Sequence, residues 1–337
     1  MIFKKYNSIE NSFDEEFVGK VRTQMPRDLK YVVQEKVHGA NASFLCDGTE
    51  IVFAKMTAVI ENGEVFYDYG ELVDTYRNNI LALAKDAMGQ YPGAVQVNIF
   101  GELFGGSYPH PEVKQVKNVK LVQKGIYYCP GHDFYGFDIY IQSEDEGRFL
   151  PVEETNTLFE KHGFLYARTL FTGSLEECLT HPNAFITHIP EWLGLPPIKD
   201  NICEGIVIRP VAPMYLTTGA RVLIKSKNSR FAEKRARKGP RPAIDPTAHY
   251  SEEMKNLMAV LATYITEPRL DNVISHIGEV KMPNDFGKLT GLYAKDVFDD
   301  FMKENAVSFD ELENAEQKAL KKELARMSAK LIQKANI

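Results

Sequence analysis

The sequence predicts an α+β fold: a domain of antiparallel sheets flanked by helices over residues 1–238, a linker over 239–248, and a small all-helical domain over 249–337. Three observations predict it. The first two thirds of the chain read as short apolar runs broken by turns. Those runs come in groups with helices interspersed, which favours α+β over a parallel βαβ sheet. Near Gly239 the pattern changes, because Lys238-Gly239-Pro240-Arg241-Pro242 is rich in helix breakers and everything after it has helical spacing.

In order along the chain, Lys30 to Lys36 is one apolar-rich run and Ala42 to Cys46 another. The turn Asp47-Gly48-Thr49 leads into Ile51 to Ala54, which predicts a hairpin. Further strands are expected at Ala94 to Leu103, Phe134 to Ile141, Cys203 to Arg209 and Arg221 to Lys225. Period-3.6 apolar spacing predicts helices over Gly70 to Met88 and Val152 to His162. In the last third, Met254, Leu257, Met258, Leu261 and Ile265 fall at helical spacing; Ala294 to Glu304 and Asp310 to Lys334 read the same way.

Size and composition narrow the function classes. The chain has 337 residues, enough for one large core and one small one, with 44% hydrophobic and 26% charged residues. Its net charge of −6 excludes a generally basic nucleic-acid coat, so any polyanion contact must be a local patch. Cys46, Cys129, Cys178 and Cys203 are scattered without Cys-x-x-Cys spacing, which argues against a zinc site or a disulfide framework. No stretch approaches the roughly 18 apolar residues of a membrane span, and Met1 to Glu10 lacks the apolar run of a secretory signal. A cytoplasmic location is expected.

The chemistry is carried by five ordered clusters. They are Glu35-Lys36-Val37-His38-Gly39-Ala40-Asn41, Phe100-Gly101-Glu102-Leu103-Phe104-Gly105, Phe134-Tyr135-Gly136-Phe137-Asp138, Glu204-Gly205-Ile206-Val207-Ile208-Arg209-Pro210 and Val222-Leu223-Ile224-Lys225-Ser226-Lys227. A lone Lys-x-x-Gly is a weak signal and is most often a surface lysine before a turn. Charges set into apolar strands are costly to bury unless partnered or used, however. Two acids and three lysines so placed suit a pocket for a triphosphate, a metal and a nucleophile.

The ordered set resembles the covalent nucleotidyltransferase superfamily of ligases and capping enzymes. Within it the match is to the phage-type RNA ligase 2 family, which includes the kinetoplastid RNA-editing ligases. The resemblance runs from Met1-Ile2-Phe3-Lys4-Lys5-Tyr6 through the clusters into Lys227-Asn228-Ser229-Arg230-Phe231. It resumes at Asn272-Val273-Ile274-Ser275-His276-Ile277-Gly278 and Asp285-Phe286-Gly287-Lys288. The segment Gly105-Gly106-Ser107-Tyr108-Pro109-His110-Pro111 is closer to the editing ligases.

The resemblance implies an ATP-dependent RNA ligase that uses ATP and a divalent metal, Mg²⁺ or Mn²⁺, and acts as a monomer on nicked duplex RNA or RNA/DNA hybrid. Lys36 is implied as the nucleophile that accepts AMP, and Lys225 and Lys227 as cations that assist it. Nearby positive charge would lower the lysine pKa from its ordinary value near 10.4. The same cations would offset charge building on the phosphate. Glu102 is implied as the ribose-binding acid, Phe137 and Val207 as the two faces around adenine, and Glu204 as the metal-coordinating carboxylate. Glu35 is implied at the adenine edge through its backbone, and His38 and Asn41 near the phosphates. Lys225 and Lys227 alternate on a strand and so share a face.

One position departs from the pattern. Where the family carries Lys-Arg-Thr or Lys-Arg-Ser, this chain has Lys55-Met56-Thr57, so a phosphate-gripping arginine is replaced by a side chain with no charge and no donor. Lys55 or another basic residue is expected to compensate. A basic run of Lys225, Lys227, Arg230, Lys234, Arg235, Arg237, Lys238 and Arg241 suits an RNA backbone. In the helical domain, Arg269 and Asp296 match polar residues of the phage ligases, with Arg269 expected in a loop after Pro268. A DNA ligase or capping guanylyltransferase shares the lysine chemistry. An end-binding protein with impaired ligation is the alternative of another class.

Overall fold

A computed structural model describes residues 1–61, 63–144, 146–232, 250–278 and 280–335. It divides into two compact units, Met1–Asn228 and Ser229–Ile337. The linker expected over 239–248 lies outside the described residues, as do Lys234, Arg235, Arg237, Lys238 and Arg241 of the basic run.

The first unit opens with β1 (Glu10–Asn11), α1 (Glu15–Gln24), β2 (Tyr31–Lys36), β3 (Ala40–Cys46), β4 (Ile51–Lys55), β5 (Ala58–Val59) and α2 (Tyr69–Gln90). It continues through β6 (Ala94–Gly105), β7 (His132–Ser143), β8 (Gly147–Phe149), α3 (Val152–Lys161), β9 (Leu165–Tyr166) and β10 (Thr169–Gly173). It closes with α4 (Leu175–Leu179), α5 (Ile189–Trp192), β11 (Gly205–Pro210) and β12 (Ile224–Lys227). Among the described residues these strands form two sheets. One has the order β1-β12-β11-β2-β10; the other runs β5-β4-β3-β6-β7-β8, with β9 paired to β7. The ladders are antiparallel except β1 with β12 and β7 with β9.

Each sheet buries one face under helices, as alternation requires. Phe44, Ile99, Phe134, Ile139 and Ile141 pack against Leu72, Tyr76, Ile80, Leu83 and Leu158 of α2 and α3. Tyr31, Val33, Ile206, Ile208 and Ile224 pack against Phe17, Val18 and Val21 of α1. One irregularity shapes the second sheet's opposite face. Between Phe100↔Asp138 and Gly101↔Gly136, Phe137 is an extra residue in β7. Such a bulge resets the alternation. Phe134 and Gly136 therefore share a face with Ile139 and Ile141, while Tyr135 and Asp138 point the other way.

The expected strands and helices of this unit form, with one change of bounds, and β1, β5, β8, β9, β10, α1, α4 and α5 are additional to them. The strand expected at Arg221 to Lys225 is laddered only from Ile224 to Lys227. Val222 and Leu223 are instead buried in the core, with the Val222 N–H bonded to Met214 O at 2.9 Å. Helix α1 is not legible as one in the sequence, although Asp14 caps it by accepting from the Phe17 N–H.

The second unit contains α6 (Glu252–Leu261), a 3₁₀ turn (Ala262–Tyr264), α7 (Glu267–Ile277), α8 (Phe286–Asp310) and α9 (Asn314–Lys334). Its core joins Met254, Leu257, Met258 and Leu261 to Leu289, Tyr293, Val297 and Phe301, and to Leu320, Leu324 and Ile332. Helix α8 is much longer than the expected Ala294 to Glu304. Gly287 and Gly291 weaken its first half locally, and the buried i, i+4 row from Leu289 overrides them. Arg269 corrects a second expectation: it is not in a loop. Thr266 caps α7, and Pro268 sits in the first turn, where proline is favoured.

Candidate active site

The site is built from strand register. β11 lies between β2 and β12, pairing Gly205 with Lys36 on one side and with Lys227 on the other. Cross-strand partners project from the same face, so two lysines flank a residue with no side chain. Gly205 is required there: at φ +155° a Cβ would lie 2.1 Å from Ser226 O. One row away, Gln34, Val207 and Lys225 align in the same manner.

Glu204 immediately precedes that glycine and is fully buried. Its Oε2 lies 2.8 Å from Lys36 Nζ and 3.6 Å from His38 Nδ1, and its Oε1 lies 2.8 Å from Lys227 Nζ. Burial alone would raise the Glu204 pKa, but Lys227, Lys36 and His38 hold it well below the usual carboxylate range.

The turn after Lys36 brings in the second acid. Gly39 passes so close to β6 that a Cβ would fall 2.3 Å from Leu103 O and 2.8 Å from Glu102 Cγ, which accounts for the glycine of Lys-x-x-Gly. The Gly39 N–H donates to Glu102 Oε1 at 3.2 Å, and Asn41 pairs with Glu102 in register. Burial pushes the Glu102 carboxyl up to about 7, with Lys36 opposing the rise and Glu204 adding to it.

Beside these groups a cavity opens between the sheets, lined by Gln34, Glu35, Lys36, Asn41, Glu102, Tyr135, Phe137 and Val207 among others. Six expected site residues therefore share one cavity wall: Glu35, Lys36, Asn41, Glu102, Phe137 and Val207. His38, Glu204 and Lys227 cluster around Lys36, and Lys225 sits opposite Val207.

Glu35 has a role the sequence did not reveal. Its backbone carbonyl accepts from Tyr135 Oη at 3.1 Å. Its buried carboxylate accepts from Thr187 Oγ1 at 2.5 Å and from the His188 N–H at 3.0 Å, and lies 3.0 Å from His188 Nδ1. The bond to Glu35 raises the His188 pKa against the effect of burial.

A scaffold of charge beneath Phe137 was likewise missed. Asp138 is fully buried and receives Arg209 Nη2 at 3.0 Å, Arg221 Nη1 at 2.7 Å and Tyr6 Oη at 2.8 Å. Arg209 Nη1 also donates to Phe137 O at 2.9 Å. Tyr6 packs edge-on against Phe137, with ring centres 5.0 Å apart. Burial works against the Asp138 charge, yet Arg209 and Arg221 keep its pKa below the usual value. The only sequence signal was an aspartate and an arginine in otherwise apolar strands.

The expected nucleic-acid residues are more dispersed. Lys55 forms an ion pair with Glu64, and Met56 lies half-buried in the turn after β4. Arg230 is exposed; Lys234 and Arg235 lie outside the described residues. In the second unit, Arg269 is buried, with Nη1 2.6 Å from Asp296 Oδ2 and Nη2 2.8 Å from Asp300 Oδ2. It ties α7 to α8, so a phosphate would compete with two carboxylates for it.

Two largely antiparallel sheets with a cavity between them, and at its edge a lysine set between acids and beside a second lysine, define a nucleotidyltransferase. The RNA ligase family model matches residues 29–227, more than half of the chain, and the T4 RNA ligase 2 C-terminal model matches 248–330. The chain belongs to the RNA ligase family; it is an ATP-dependent RNA ligase, and RNA is its partner. It is 26% identical to the mitochondrial RNA-editing ligase 2 of Trypanosoma brucei brucei, over 91% of this chain and 85% of that protein. It is 28% identical to the mitochondrial RNA-editing ligase 1, over 82% and 70%. An apo mutant of a Naegleria gruberi RNA ligase aligns with a TM-score of 0.43 at 14% identity, covering 68% of this chain and 57% of that one. No described helix is long and apolar enough to cross a membrane.

Proposed function

We propose that this RNA ligase, acting as a monomer, seals 3′-hydroxyl and 5′-phosphate ends at nicks in duplex RNA or RNA-containing hybrids through an AMP carried on Lys36. The observation that carries the reading is the convergence of Lys36, Glu102, Phe137 and Val207 on one cavity, with Lys227 and Glu204 beside the amine. In the first step Nζ of Lys36 exchanges its bond with Glu204 for the α-phosphate of ATP. The N–P bond forms, the bond to pyrophosphate breaks, and the amine loses a proton. AMP then passes to the RNA 5′-phosphate, and attack by the 3′-hydroxyl joins the ends and releases AMP. Every step is a phosphoryl transfer, so the protein contributes mainly position and fixed charge.

Adenine fits between Phe137 and Val207, with Tyr135 and the Glu35 backbone at its edge, and the Glu102 carboxylate is suited to accept from a ribose hydroxyl. Lys225 and Lys227 face the phosphates. The donor set also fits a divalent ion that arrives with the nucleotide. The described residues contain no ready cage of three or more acidic, His or Cys ligands, and Mg²⁺ is commonly held by one or two carboxylates plus substrate phosphates. Glu204 would be the protein ligand, and the ion would supply charge neutralisation at the phosphates. The decisive measurement is intact mass after incubation with ATP and magnesium. The protein gains an adenylyl group and Lys36→Ala does not; an equal gain in the variant would overturn the reading.

A further inference from the structure

We propose that Tyr128 and Gln123 are positioning residues for lysine adenylylation, fixing from outside the motif strands the turn that carries Lys36 and His38. The inference rests on Lys36 being the nucleophile. In the turn between β2 and β3, three backbone polar groups are held by side chains from elsewhere in the unit. The Gly39 N–H goes to Glu102. The His38 N–H donates to Tyr128 Oη at 2.8 Å, and the Gly39 carbonyl accepts from Gln123 Nε2 at 3.2 Å. Two of the three are thus held by the segment linking β6 to β7.

That segment has no strand or helix between residues 106 and 131, yet it is well fastened. The Val122 N–H bonds Gly105 O at 3.1 Å, and the Gly106 N–H bonds Gly131 O at 2.8 Å. Asn201 brackets Tyr127, with Oδ1 accepting from its N–H at 2.9 Å and Nδ2 donating to its carbonyl at 2.6 Å. The Tyr128 ring meets Phe104 edge-on at 5.3 Å, two residues beyond Glu102. The hydroxyl that receives His38 is therefore a fixed point, buried where water cannot substitute for it: Tyr128 is 2% exposed and His38 5%.

What the clamp controls is local. Lys36 Nζ and His38 Nδ1 both address Glu204 Oε2, at 2.8 and 3.6 Å. A shift of the His38 peptide moves both groups against that oxygen and against the cavity. In-line attack on phosphorus tolerates little such displacement. Joining an end that already carries AMP needs no attack by Lys36, so it makes far smaller demands on this turn.

The test separates those steps. Tyr128→Phe keeps the ring and removes only the hydroxyl that receives the His38 N–H. Single-turnover adenylylation with ATP is expected to slow by roughly tenfold or more, in the maximal rate rather than in the ATP concentration for half-maximal rate. Gln123→Ala is expected to slow it less. Sealing of a nicked duplex whose 5′ end is chemically pre-adenylylated should stay within about twofold for both variants. Wild-type adenylylation rates in both variants would overturn the inference. So would an equal loss in both assays, which is what general destabilisation produces. If Tyr128→Phe does not fold, the Gln123→Ala pair of rates decides alone. Absence of any adduct in the wild type would instead sink the Lys36 reading itself.

Discussion

Two buried carboxylates in the first unit have nearly the same surroundings and opposite consequences. Asp138 sits between Arg209 and Arg221 with Tyr6 as a third partner; Glu204 sits between Lys36 and Lys227 with His38 as the third. Both carboxyls are fully buried, and the cations hold both pKa values down. The difference is in the cations. Guanidinium is permanently charged and planar, and the two arginine side chains are 3% and 1% exposed, so that cluster is closed. Lysine ammonium groups are compact, have rotatable donors and can give up a proton. Lys36, at 17% exposed, lies at the edge of a cavity. One carboxylate holds the frame beneath Phe137, while the other holds the amine proposed to accept AMP.

The comparison breaks first at its reactive end. Lys36→Ala should abolish the adenylyl adduct while lowering stability by less than about 2 kcal/mol, because Glu204 keeps Lys227. A denaturant midpoint beside the mass measurement checks both halves. Asp138→Ala should reverse that balance. It strands two buried guanidinium groups, and removing one partner of a buried pair costs about 3–5 kcal/mol. The loss appears as a lower midpoint at unchanged slope, and a stable variant would show that the arginine cluster is not a frame.

Glu102 sharpens the comparison through pH. Its folded pKa, about 7, lies above the ordinary glutamate value near 4.3. The neutral carboxyl is therefore the form folding favours. The associated stability is fully present below about pH 4.3 and is lost as pH rises through about 7. Ionisation in that upper window creates the better acceptor for a ribose hydroxyl. ATP affinity is expected to improve between about pH 6 and 8, and Glu102→Gln should flatten the profile. A wild-type profile without an inflection near 7 would show that Glu102 does not change charge in that window, and ATP affinity unchanged in Glu102→Gln at pH 8 would remove it from nucleotide binding. The smallest effect is expected at the RNA side, where Met56→Arg should raise the single-turnover nick-sealing rate by a few-fold, worth about 1 kcal/mol. An unchanged rate would mean that another group already grips the phosphate.

Much of this was written locally. The clusters around Lys36, Glu102, Phe137, Glu204 and Lys227 were readable because a charge in an apolar strand is conspicuous, and strand alternation alone put Lys225 and Lys227 on one face. Helices with a clear apolar stripe, such as α2, were readable for the same reason. Arg269 misled because Pro268 looks like a breaker when its place in a first helical turn is unknown.

By itself the sequence determined which residues are unusual for their surroundings and which face of a strand each occupies, since both depend on neighbours a few positions away. Only the tertiary structure decided which distant residues meet. Register set Gly205 between Lys36 and Lys227, one extra residue at Phe137 turned Tyr135 and Asp138 to the same side, and an irregular loop brought Tyr128 to the backbone of His38. The physical reason is that strand pairing and loop closure join residues far apart in the chain, and nothing in the local pattern specifies which partners will be joined.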